Sequence, residues 1–246
     1  MSMKIELNLK VPVSMSSIKL GDYQKYIKIV QGFKEGEDSD DFIKLKMLDI
    51  FCGVELKDSY KMPISVFDGA IEKVASCLNE PTPHIRRFHM TGPNGEVPVE
   101  FGFIPDLSSM SFGEYVDIDS QINDLQNLHK VMAVLYRPIT EAKGESYKIK
   151  EYEGYEGNEE LMKDMPLDVA LGALVFFYRL GMKLSRYTTV SSLKRLSKDP
   201  HKLLDLEKIL LEQNGVGINL YMRLLEETSQ SLMRLPGSHF ESVLPG

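Results

Sequence analysis

Apolar residues in the first part of the chain recur with two different periods. Positions 5, 7, 9 and 11 are apolar and alternate with polar positions, which predicts a short strand that Pro12 ends. From residue 22 the spacing lengthens to three or four, which predicts helices in residues 22–33, 40–52 and 64–78, the last with Ser65 as its N-cap. We therefore expect one strand followed by several helices in this part of the chain.

The period returns to two between residues 83 and 105. Apolar residues there flank the turn sequence "TGPNGE", which predicts a β-hairpin, and "ITEAKGESYKIKEY" favours a second hairpin that turns at Gly144. After the acidic, glycine-containing "EYEGYEGNEE", apolar residues are helically spaced to the end of the chain. The pattern predicts an α+β, helix-dominated fold, with an N-terminal strand, helices and one or two β-hairpins in residues 1–156, followed by an all-helical C-terminal region in residues 157–246.

Composition narrows the class of protein. The chain has 246 residues, of which 43% are hydrophobic and 26% charged, as in an ordinary globular protein of one large or two small domains. Its formal charge of −7 argues against a surface devoted to nucleic acid. The charge is uneven, because residues 182–246 carry nine Lys or Arg against seven Asp or Glu.

Cysteine usage and hydropathy bear on the compartment. Cys52 and Cys77 each fall in a predicted apolar helix, where a thiol acts mainly as a small hydrophobe, so a reducing environment is expected. The N-terminus lacks the continuous apolar core of a signal peptide. The longest run without charge, "VALGALVFFY", is far shorter than the roughly 20 residues that span a bilayer. We expect a cytoplasmic protein with no membrane contact.

The segment "FGEYVDIDSQINDLQNLHK" is the strongest candidate for chemistry, because it combines several carboxylates with a histidine. Ser111 and Glu114 form an S-x-x-E capping box, which assigns Glu114 a structural role. In a helix Asp117 and Asp119 project about 200° apart, so they cannot share a ligand. A calcium loop that starts at Asp117 would lack its glycine and its final glutamate. The carboxylates therefore indicate caps and a solvated face, with no metal and no cofactor.

An enzyme remains the remote alternative. His129 has no second histidine four residues on and no nearby serine or cysteine nucleophile, which favours a surface or satisfied interior histidine. The best enzyme hypothesis is a carboxylate-dependent hydrolase that uses Asp106, Glu114, Asp117 and His129. No nucleophile, metal spacing or oxyanion loop accompanies these residues, so we predict that the protein is not an enzyme.

The C-terminal region contains the predicted partner-binding residues. The helix that follows Pro166 has a broad apolar face, which Phe176 and Phe177 widen beyond the needs of one packing partner. From Lys183 to Lys202 six basic residues stand against a single acid, which is typical of a solvated helix face or of a platform for nucleic acid or an acidic partner. The first interpretation is favoured, and nucleic acid is not expected as a partner. The predicted partner-binding residues are Leu171, Leu174, Phe176, Phe177, Lys194 and Arg195.

Three segments resemble proteins from the structural gene clusters of tailed bacteriophages, and most of all their tail assembly chaperones. These are "LKMLDIFCGVELKDSYKMPISVFDGAIEKV", "FGFIPDLSSMSFGEYVDID" and "LHKVMAVLYRP", so that the similarity covers roughly residues 4–138. The resemblance implies a non-enzymatic helical protein of the host cytoplasm that coats the tape-measure protein until tube subunits replace it. Its partners would be tape-measure or tube proteins, other phage structural proteins or further copies of itself.

This chain is longer than that pattern, with two hairpin-like insertions and an extra helical region after the glycine-rich boundary. The departure leaves open a second hypothesis, a permanent virion component of the tail, neck or baseplate. Both hypotheses require helices that expose more apolar surface than a monomer needs.

Overall fold

The computed structural model describes residues 9–32, 39–91, 98–122 and 124–177. They form an α+β structure in which helices dominate, as predicted. Single turns of 3-10 helix lie at Met15–Ser17, Leu107–Ser109 and Leu125–Asn127. The helices are α1 (Leu20–Gly32), α2 (Ser39–Cys52), α3 (Leu56–Ser59), α4 (Ile64–Leu78), α5 (Phe112–Gln121), α6 (Leu128–Leu135), α7 (Glu159–Met162) and α8 (residues 167–177). The strands are β1 (Arg87–Met90), β2 (Val99–Phe103), β3 (Tyr136–Lys143) and β4 (Ser146–Ile149).

The four strands form one antiparallel sheet in the order β1-β2-β3-β4. β1 and β2 make the first predicted hairpin, with Phe88 opposite Phe101. β3 and β4 make the second, and the pair Lys143 and Ser146 encloses a two-residue turn at Gly144. Gly144 has φ +61°, whereas Glu145 does not, because every described residue with a positive φ is a glycine. This combination fits a type II′ turn with glycine first. Both hairpin predictions are confirmed.

The predicted N-terminal strand lies largely beyond the described residues, and α4 begins differently from the prediction. The predicted N-terminal strand falls mainly on residues 1–8, outside the described residues, and residues 9–12 are not in a strand. The prediction that Ser65 caps α4 is wrong, because the N-cap is Pro63 and the helix begins at Ile64. The ring of Pro63 holds φ at −58°, which lets the chain enter the helix without a side-chain cap.

One hydrophobic cluster runs through the described part of the chain, from the turn before α1 to the end of α8. The buried residues of α8 belong to this cluster. Two backbone hydrogen bonds hold the start of α8 beside α1, from Leu20 N to Met165 O and from Leu167 N to Ile18 O, each at 2.9 Å. The described part of the predicted C-terminal region therefore shares its core with residues 15–136. The division at residues 156 and 157 stays a prediction, since residues 178–246 lie outside the described residues.

α8 lies very close to the segment that links α4 to β1. A Cβ on Gly172 would lie 2.3 Å from the carbonyl oxygen of Pro83, so only glycine fits there. In the next turn the ring of Phe176 stacks on His84, with centroids 4.1 Å apart. This contact places α8 against the sheet at the end of β2, where Phe177 also packs on Phe103.

Candidate functional site

Helix α5 begins with the predicted capping box. The backbone N–H of Glu114 donates to Oγ of Ser111 at 3.3 Å, and the backbone N–H of Ser111 donates to Oε2 of Glu114 at 2.6 Å. Ser111 is in the extended conformation with φ −70° and ψ 158°, as an N-cap requires. The structural role predicted for Glu114 is confirmed.

Glu114 also joins α5 to the sheet. Its second oxygen, Oε1, accepts a hydrogen bond from Nη2 of Arg137 in β3 at 2.5 Å. The side chains are only 7% and 12% exposed, so this ion pair is largely shielded from water. An ion pair in such surroundings constrains geometry because either charge alone would be costly to bury. The pair therefore ties the orientation of α5 to β3.

A tyrosine after β4 completes the attachment. The guanidinium of Arg137 lies 5.4 Å from the centre of the Tyr152 ring, and the Tyr152 hydroxyl donates to Oδ2 of Asp117. Burial, and then the hydrogen bond to Asp117, raise the pKa of Tyr152 above its ordinary value, so the phenol keeps its proton at neutral pH. Asp117 is thus an anchor for Tyr152, and α5 is attached to two separate parts of the fold.

The remaining residues of the hydrolase hypothesis have other neighbours. Asp106 accepts from the backbone N and the hydroxyl of Ser108, at 2.9 and 2.7 Å, and these hydrogen bonds lower the pKa of its carboxyl group. His129 is 5% exposed, and its Nδ1 lies 3.1 Å from Nε2 of Gln24. Burial, and next the charge of Lys163, lower the pKa of His129, which is the satisfied interior histidine that its sequence context favours.

The four hydrolase candidates thus interact with different partners, and only the adjacent pair Glu114 and Asp117 shares a network. Within the ranges that the structure describes, no group of three or more His, Cys, Asp or Glu side chains is placed to hold a metal ion.

The outward side of α5 is apolar. Phe112, Tyr115 and Val116 are 82%, 57% and 42% exposed, and their spacing places them on one face of the helix. Asp119, one turn further on, is exposed on the same face. Glu114 and Ile118 lie on the opposite, buried face. We call the set Phe112, Tyr115, Val116 and Asp119 the α5 outer face.

Two acidic segments lie on and beside α5. Residues 106–124 contain five carboxylates and no Lys or Arg, and residues 151–160 contain five glutamates and no Lys or Arg. Tyr152 brings the second segment beside the first, because a Cβ on Gly113 would lie 3.9 Å from its ring. Arg137 neutralises Glu114, and the described residues give Asp119 no comparable partner. The apolar face therefore has an acidic border.

The residues predicted to bind a partner lie elsewhere. Leu171, Leu174 and Phe177 are 6%, 3% and 8% exposed, and Phe176 is half-buried against His84. In this arrangement the broad apolar face of α8 is covered by the protein itself, because the extra phenylalanines pack on the sheet. Lys194 and Arg195 lie outside the described residues.

The α5 outer face was not singled out from the sequence, although a signal was present. Tyr115 and Val116 follow Phe112 by three and four positions, and Ile118 and Ile122 form a second apolar row. Two apolar rows on a short helix indicate more apolar surface than one packing contact covers. A further exposed apolar group, Tyr60, Ile64 and Val66, lies at the start of α4.

No protein-family model, no curated protein and no solved structure matches the chain. Among the described residues, no helix combines the length and the apolar character needed to cross a bilayer.

Proposed function

We propose that this protein is a non-enzymatic protein of a tailed bacteriophage that acts through protein–protein contacts, as a tail assembly chaperone for the tape-measure or tube protein in the host cytoplasm. The observation that carries the proposal is the α5 outer face, an apolar row exposed to water on a firmly attached helix. The sequence "FGFIPDLSSMSFGEYVDID", which contains most of α5, is also one of the segments that resemble tail assembly chaperones.

Exposed aromatic and branched side chains in a row are a feature of surfaces that bind other polypeptides. Full burial of one large apolar side chain contributes about 1.5–3 kcal/mol, so the exposed parts of Phe112, Tyr115 and Val116 together contribute a few kcal/mol, which offsets part of the free-energy cost of association. That amount suits a contact that must later be released.

The attachment of α5 supports the same function. The capping box, the ion pair of Glu114 with Arg137 and the hydrogen bond from Tyr152 to Asp117 hold the helix in place before any partner arrives. A preformed surface binds more tightly because less conformational entropy is lost on association. The same contacts occupy Glu114 and Asp117, which supports a non-enzymatic role for the acidic segment.

Co-expression with candidate tail proteins tests the proposal. The tagged full chain is expressed with the tape-measure protein or with the tube protein, and complexes are separated by size exclusion. We expect a complex that Phe112→Ser with Val116→Ser weakens at least tenfold, a loss typical of two residues at the centre of an interface. Val13→Ser is the matched control, because Val13 is 86% exposed and lies outside α5.

Purified phage particles separate the two phage hypotheses. A chaperone is absent from the particle, whereas a tail, neck or baseplate component is present at fixed stoichiometry. Failure to bind any tail protein would refute the proposed function, and recovery of the chain from particles would establish the permanent component in its place.

A further inference from the structure

We propose that the partner segment that docks on the α5 outer face is an amphipathic helix whose apolar stripe is bordered by Lys and Arg. This inference rests on the proposed function and specifies the chemistry of the partner. It is carried by the juxtaposition of an exposed apolar row with unpaired carboxylates on α5 and on the segment beside it.

Asp119 is the first of these carboxylates. It follows Tyr115 and Val116 by one helical turn and is exposed on the same face, and within the described part of the chain it makes no hydrogen bond or ion pair. By contrast, Asp117 accepts from Tyr152 and Asp124 accepts from the backbone N–H of Gln126 at 2.8 Å. The structure therefore uses the neighbouring aspartates internally and leaves Asp119 available to a cation on a partner.

The segment beside α5 extends the negative border. Tyr152 points toward α5 and is flanked by Glu151 and Glu153, both exposed. Glu153 pairs with Lys150 at 3.0 Å, whereas Glu151 has no ion pair among the described residues. One unpaired carboxylate thus lies on the outer face itself, at Asp119, and another on the segment that contacts α5, and a partner helix that covers the row brings its own flanking residues close to Asp119.

This charge pattern selects among possible occupants. A second copy of α5 offers Asp119 no Lys or Arg, because residues 106–124 contain none, and a parallel two-fold contact would bring Asp119 toward Asp119, where like charges oppose association. Nucleic acid and anionic lipid surfaces are repelled for the same reason. A helix with flanking Lys or Arg gains attraction at the border and buries its apolar stripe on Phe112, Tyr115 and Val116.

The test uses fluorescently labelled synthetic helices and the purified full chain. The probe is an amphipathic peptide with a leucine stripe flanked by lysines. One matched peptide replaces every lysine by glutamate, and another keeps the composition but scrambles the stripe. Fluorescence anisotropy should show binding of the basic peptide that is at least tenfold tighter than that of either matched peptide and that weakens as salt is added.

Variants locate the binding surface. Phe112→Ser should weaken binding of the basic peptide about tenfold. Asp119→Lys should weaken the basic peptide and strengthen the acidic one, whereas Asp68→Lys, on the exposed side of α4, should change neither. All substituted positions are exposed, and unchanged unfolding midpoints establish that each variant folds.

Equal affinity for the basic and acidic peptides, or an Asp119→Lys variant that behaves as wild type, would overturn the inference. The chain itself contains a basic stretch from Lys183 to Lys202. If the basic peptide binds only after Lys194→Glu with Arg195→Glu, the face is occupied by that stretch and an external partner is excluded.

The same variants distinguish this inference from the proposed function. A tail-protein complex that Phe112→Ser disrupts but Asp119→Lys leaves intact would retain the function and reject the basic partner. Binding of the basic peptide on α5 without a complex with any tail protein would reject the function and retain the inference.

Discussion

The buried ion pair of α5 leads to a quantitative prediction for Glu114→Gln. The substitution keeps an oxygen that can accept from Ser111 N, but it leaves Arg137 charged with its side chain only 12% exposed. Removal of one partner of a buried pair costs about 3–5 kcal/mol. Arg137 is not fully buried and keeps its contact with the Tyr152 ring, so we expect the lower end, about 3 kcal/mol.

Urea unfolding of the full chain, followed by far-UV circular dichroism, measures this loss. With a denaturant dependence of about 1–3 kcal/mol per molar urea, a loss of about 3 kcal/mol lowers the midpoint by about 1–3 M. Glu72→Gln is the matched control, because Glu72 is exposed on α4, and it should change stability by less than about 0.5 kcal/mol.

A double substitution separates the charge from the packing. Glu114→Gln with Arg137→Met removes both charges, so it should be more stable than the sum of the two single losses predicts. If Glu114→Gln costs no more than Glu72→Gln, the pair is effectively solvated. The argument that this pair holds α5 in place would then be refuted.

Two further predictions concern the packing of α8 and the histidines His84 and His129, of which the first is half-buried and the second buried. Gly172→Ala should destabilise the protein by about 1–3 kcal/mol, because the new Cβ meets a backbone carbonyl. Gly69→Ala has nothing within 4 Å of its Cβ and should stabilise α4 by about 0.5–1 kcal/mol. Equal unfolding midpoints for the two variants would contradict this prediction. Burial lowers the pKa of His84 and of His129. Both rings are therefore easier to protonate in the unfolded chain than in the folded protein. The free energy of unfolding should be highest above the unfolded pKa of about 6.5 and should fall as the pH decreases from there toward the folded pKa. Each histidine contributes a slope of at most about 1.4 kcal/mol per pH unit. Unfolding midpoints between about pH 7.5 and about pH 5.5 measure this slope, and His84→Leu should flatten it if the assignment is correct.

Local features of this protein followed from the sequence because they depend on residues only a few positions apart. The capping box joins Ser111 to Glu114, and the second hairpin turns where Gly144 supplies a positive φ. Helical spacing likewise predicted α2 and α4. The first residue of α4 was not predicted correctly, because Pro63 is the N-cap and the helix begins without a capping side chain.

Tertiary structure decided what the apolar faces and the carboxylates are used for. The ion pair of Glu114 with Arg137 spans 23 positions and the hydrogen bond from Tyr152 to Asp117 spans 35, distances along the chain that no periodic pattern encodes. Spacing also identified α8 as strongly apolar, but only packing showed that Phe177 is covered while Phe112 on α5 is not. A hydrophobic period reveals which residues share a face, whereas the cover on that face comes from residues far away in the chain.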